Sequence, residues 1–98
     1  MAAYLDIPPG ARSDKQASEL IRAWAAHGGL QCSLNVDAWS GDQTTIGWGI
    51  LLSDIARHVS NALHERRGLD RAQTLAQIQK VFNSELESPT ADANGNFV

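Results

Sequence analysis

Asp54, His58, Asn61 and Glu65 recur at i, i+4, i+7 and i+11, a spacing that sets four polar side chains along one edge of a helix. In such a row Asp54 could hold the His58 ring in one tautomer and let it act as a general base. The pair could also supply part of a metal site completed by a ligand from elsewhere. The rest of the chain completes neither chemistry. No Ser or Cys nucleophile stands beside a base, and no glycine-rich oxyanion or phosphate loop is visible. The lone Cys32 and three scattered histidines cannot assemble a cysteine-rich zinc centre. The row therefore reads as a solvated boundary stripe with weak i,i+4 pairing, and no catalytic residue, cofactor or metal ion is expected.

Leu20, Arg22 and Trp24 form a second group of interest. If their segment is a strand, alternation puts all three on one face, and a tryptophan left in water there marks a contact surface. Tyr4, Leu5 and Ile7 of the preceding segment are the competing cover for Trp24. Cys32 falls on the opposite, apolar face, where a thiol is an inert small hydrophobe. Trp39 and Trp48 flank a loop and are expected to pack beneath it.

The element that must position Asp54 and His58 is the helix over Trp48 to Leu63. On a 3.6-residue wheel Trp48, Leu51, Leu52, Ile55, Ala56, Val59, Ala62 and Leu63 fill one broad arc, with Ile55 at its centre. Thr44 or Thr45 is the expected N-cap, and Gly47 and Gly49 weaken the first turn, which moves the predicted start toward Trp48. Arg66 and Arg67 fit the last turn and Gly68 the left-handed position beyond it. Asp70 followed by Gln73 then signals a second helix, with Leu75, Ile78, Phe82 and Leu86 on one face and Ser88-Pro89 as its stop. A connection this short folds the two helices into an antiparallel pair.

Before the core helix, Glu19 to Ala38 reads as a β-hairpin, although Ala23, Ala25 and Ala26 also suit a helix. With Gly28-Gly29 as the two-residue turn, Ala25 pairs with Cys32, Ala23 with Leu34 and Ile21 with Val36 on one apolar face. Residues 1–17, broken by Pro8, Pro9 and Gly10, form an extended arm with one helical turn expected after Ser13. The main domain spans 18–88, and 89–98 is a polar tail that buries too little to order itself. The fold class is α+β, in two layers, with the helical pair on the apolar face of the hairpin.

Composition narrows the function classes. A chain of 98 residues with 43% hydrophobic and 19% charged residues holds one small core. A net charge of −3 works against nonspecific nucleic-acid binding, and no apolar run approaches a membrane span. The start lacks a secretory pattern, so a cytoplasmic location is expected.

Asp6-Ile7-Pro8-Pro9, Glu19 to Trp24, Gly28-Gly29-Leu30 with Ser33-Leu34, and Trp48 to His58 together resemble a family of short proteobacterial proteins known only as a domain of unknown function. The resemblance covers residues 6 to 64 and implies a small bacterial domain with no assigned mechanism. The function expected is a noncatalytic, homodimeric protein-interaction module joined through the hairpin, whose two strand edges and outer face want a partner. The alternatives are a small enzyme or small-molecule binding protein using Asp54 and His58, or an aromatic pocket near Trp39 and Trp48.

Overall fold

Trp39 fixes the corner from which the rest of the chain is laid out. In the computed structural model, which describes residues 5–98, a short helix α1 (Pro9–Ser13) leads to a hairpin of β1 (Ile21–Ala26) and β2 (Gly29–Leu34). A 3-10 turn (Val36–Ala38), a long helix α2 (Gln43–Arg67), a second helix α3 (Arg71–Glu87) and a last strand β3 (Ala93–Phe97) follow. The fold is α+β. Its one sheet is mixed, in the order β1-β2-β3, with β1 antiparallel and β3 parallel to β2.

The arm holds one helical turn, but it starts at Pro9 rather than after Ser13. Proline suits the first helical position, and the Pro8 carbonyl accepts from the Ala11 and Arg12 amides. Leu5 is 96% exposed and Ile7 is exposed too, so neither covers Trp24, while Tyr4 lies outside the described residues.

The hairpin forms with its register moved by two residues from the expected one. Ala26 pairs with Gly29, Ala25 with Leu30, Ala23 with Cys32 and Ile21 with Leu34, so the turn is His27-Gly28 instead of Gly28-Gly29. Both turn residues have positive φ, 53° and 76°. That is the primed geometry whose twist matches the flanking strands, and histidine is among the residues that tolerate it. Gly29 is thereby released to the strand, where the Asp92 carbonyl approaches to within 3.2 Å of where a Cβ would sit. A shift of two keeps every side chain on its expected face, whereas a shift of one would have inverted the ribbon.

Residues 93–97, expected as part of an unordered tail, form β3 instead. Ala93, Gly95 and Phe97 pair with Leu30, Cys32 and Leu34, and the Val98 amide donates to the Leu34 carbonyl at 3.0 Å. Gly95 has φ 140°, and a Cβ there would overlap the Cys32 backbone, so only glycine lets the strands close. One face of the sheet is thus apolar on all three strands, and the other carries Arg22, Gln31, Ser33, Asn94 and Asn96 beside Trp24.

The core helix begins at Gln43, ahead of its expected start near Trp48. Asp42 is its N-cap residue and makes no side-chain cap bond. Thr44, expected as a cap, instead donates its hydroxyl to the Trp39 carbonyl at 3.2 Å, tying the first turn to the preceding loop. Gly47 is buried because the Trp39 indole occupies the space a Cβ would fill. At the far end Gly68 takes the left-handed conformation (φ 70°), and its amide donates to the His64 carbonyl at 2.8 Å. The Asp70 carboxylate then accepts from the Gln73 amide at 2.9 Å and starts α3.

α2 and α3 pack antiparallel. Arg71 Nε donates to Asn61 Oδ1 at 3.1 Å, and the His64 ring Nδ1–H donates to the Leu69 carbonyl at 2.8 Å, closing the connection. Ser60, next to Asn61, is the one buried polar side chain among the described residues. The apolar face of the hairpin is left largely open. Ala23, Ala25 and Leu30 on that face are exposed. Ile55 is 42% exposed instead of central to a core. The alanines of β1 offer a helix little apolar area to cover.

Beyond α3, the Thr90 backbone N–H and hydroxyl both donate to Glu85 Oε1, at 3.0 and 2.9 Å. Those two bonds, the backbone one first, hold the Glu85 carboxyl below the usual carboxylate range. A depressed carboxylate favours the folded turn above the ordinary Glu value and loses that contribution as pH falls through its lowered value. In an NMR titration the Thr90 amide resonance is expected to move with a midpoint below that of a free glutamate, and Glu85→Gln should abolish the step.

The two glycines of the first turns of α2 should respond in opposite directions. Gly49 has nothing within 4 Å of an added Cβ, so Gly49→Ala should stabilise by about 0.5–1 kcal/mol through helix propensity. Gly47→Ala meets the Trp39 ring and should destabilise by about 1–3 kcal/mol despite the same propensity gain. Urea denaturation of the two variants measures both signs.

Candidate functional site

The first half of α2, the loop bearing Trp39 and the residue before β1 enclose a shallow cleft of about 430 Å³. Leu20 and Trp39 line it from one side, and Ile50, Leu51 and Ile55 of α2 line it together with Asp54 and His58. The one-turn spacing on α2 sets the last two side by side, as the sequence predicts. Trp39 is held in place by Trp48, whose ring meets it edge-on at 5.5 Å and 82°. These tryptophans pack at the loop as expected.

The cleft does not pair Asp54 with His58. Asp54 Oδ1 lies 3.7 Å from Arg57 Nη1, and both side chains are largely exposed, so the ion pair contributes about 0–1 kcal/mol. Among the described residues no hydrogen bond or ion pair is made by His58. The remaining members of the row diverge. Asn61 is engaged by Arg71 of α3, and Glu65 lies exposed beyond the cleft. No group of three or more His, Cys, Asp or Glu side chains able to hold a metal ion occurs among the described residues.

The hairpin residues part company as well. Leu20 lines the cleft against α2, Arg22 pairs through Nε with Glu19, and Trp24 stands exposed opposite Gln31, outside the cleft. Cys32 is a free, half-buried thiol on the apolar sheet face. A second opening, about 420 Å³, lies between the helices where they diverge, bounded by Gly49, Leu52 and Ala56 on α2 and by Leu75, Ile78 and Phe82 on α3.

Sequence reasoning missed the part played by Gly47 as the seat of Trp39, and with it the wall of the cleft. The available signal was a glycine inside the periodic run, eight residues after Trp39 and next to Trp48, which read there only as a loss of helix propensity. Leu20 was assigned to an outer face because alternation was carried past the end of β1.

Among solved structures, one from the photosynthetic bacterium Rhodopseudomonas palustrus CGA009, provisionally described as a pyruvate dehydrogenase, is similar over 96% of this chain and 93% of its own. Its TM-score is 0.68 at 28% sequence identity. No curated protein matches the chain. The family model for a domain of unknown function, DUF5076, matches residues 4–90. With nearly the whole of the arm, hairpin and helical pair inside that match, the chain belongs to the DUF5076 family.

Proposed function

We propose that the chain is a noncatalytic protein-interaction module that works as a homodimer in the cytoplasm. One observation carries this reading: no hydrophobic side chain among the described residues is fully buried. The chain exposes 8475 Å², whereas a folded monomer of its mass exposes about 5,500 Å². Its radius of gyration of 15.1 Å also exceeds the roughly 12.6 Å of a single-core domain of this length. The partial exposure of Leu52, Ile55, Val59, Phe82 and Leu86 supports this reading, because apolar surface of that extent favours burial against a partner. A free thiol at Cys32 and the absence, among the described residues, of a helix long and apolar enough to cross a membrane are compatible with a reducing compartment.

A second reading rests on the cleft. A histidine lining an apolar hollow could receive a small anionic or aromatic molecule, which would make the protein a small enzyme or a binding protein acting through Asp54 and His58. Asp54 turned toward Arg57 argues against a general base in the cleft. The activity in the description of the similar bacterial structure is therefore not carried over to this chain.

Sedimentation equilibrium at micromolar concentration tests the first reading, with about twice the 10.6 kDa chain mass expected; a mass near that of one chain overturns it. Because a dimer couples folding to association, the urea midpoint should rise with protein concentration. His58→Ala should leave the mass and the midpoint unchanged. A specific small molecule retained by the wild type in native mass spectrometry and lost in that variant would favour the second reading.

A further inference from the structure

The sheet and the long helix each present an apolar surface that the same chain leaves partly exposed. On the sheet, Leu30 is 44% and Phe97 74% exposed, with Ala23 and Ala25 open between them. On α2, Leu52, Ile55 and Val59 are 43%, 42% and 40% exposed along the arc between the α3 side and the Trp39 side. A sheet face and a helix stripe are complementary layers, and an α+β domain ordinarily stacks one on the other. Here the chain holds both kinds of surface, and the apolar sheet face stays exposed.

We propose that two copies of the chain exchange these layers, the α2 stripe of each protomer covering the apolar sheet face of the other. This rests on the homodimer reading and specifies its contact. Two arguments favour it over other pairings. Joining α2 to α2 would leave both sheets bare, and joining sheet to sheet would leave both helices bare. Only the exchange uses one surface of each kind from each chain and closes under a two-fold axis. None of the residues named on the two surfaces is charged, so burying them against each other desolvates no charge of their own.

The area is also sufficient. The surplus over a folded monomer is about 3,000 Å², and the exposed residues 5–17, counted at about 1.45 Å² per dalton, account for roughly two fifths of it. What remains, more than about 1,000 Å² per chain, covers the roughly 800 Å² per partner of a standard interface. A second copy is moreover the one partner present wherever the chain is made, which a fold without a buried core requires.

Cys32 lies on the sheet face and supplies the probe. Full-length wild type, with Cys32 alone, is co-refolded with a tagged Cys32→Ser/Ile55→Cys chain and treated with a short bismaleimide. A covalent product containing one chain of each kind is expected, with neither chain cross-linking to itself. Self-linking of the Ile55→Cys chain would place α2 on α2, and self-linking of wild type would place sheet on sheet. Single-chain Ile55→Cys with Cys32 retained should not close a loop within one chain. Any of those three products overturns the exchange, as does a dimeric mass with no cross-link, and each leaves the homodimer reading standing except the internal loop. A monomeric mass overturns both. Should Ile55→Cys lose its helical circular dichroism, Val59→Cys repeats every arm.

Discussion

The seat of the Trp39 indole on Gly47 is the contact on which the arrangement of the molecule depends. It sets where α2 begins, since Thr44 and Trp48 bond and stack onto the same residue, and it sets the direction in which the helix departs. A helix of 25 residues runs about 37 Å at 1.5 Å per residue, while strands of 6 residues run only about 20 Å. Pinned at its first turns, α2 is longer than either strand, and α3 runs back along it from Asn61 toward Gly49. The cleft lined by Asp54 and His58 lies at the same corner, between α2, Trp39 and Leu20.

The parts of this structure that were legible in the sequence are those fixed by neighbours in the chain. Gly68 ends α2 and Asp70 begins α3 because both positions answer to backbone groups within four residues. The sorting of hairpin side chains between two faces follows from alternation alone and survived an error in the turn. What escaped was decided by contacts between distant residues. The turn moved to His27-Gly28 so that Gly29 could meet the Asp92 carbonyl. The tail became a strand because Gly95 lets backbone lie against Cys32. Each is a glycine whose value lies in another segment's approach, and a local reading sees only the flexibility.

The candidate site divides along the same line. The one-turn spacing of Asp54 and His58 was visible, and so was the weakness of the case for catalysis, but Leu20 and Trp39 come to them only through the corner. The apolar arc of α2 was likewise identified correctly as an arc. Its exposure was not, because hydrophobic periodicity reports that a face wants cover and says nothing about which chain provides it.

The position of β3 has a kinetic meaning. It lies parallel to β2, and parallel neighbours require a crossover; here the crossover comprises both long helices. The β1–β2 ribbon and the α2–α3 pair are built from contacts close in sequence and can form early. The β2–β3 ladder must wait until the entropy of the longest loop in the molecule has been overcome. The sheet is therefore completed last, and until then the outer edge of β2 stays open to any other strand that reaches it first, so an excess of unfolded chain at that stage favours misjoined ribbons over finished ones.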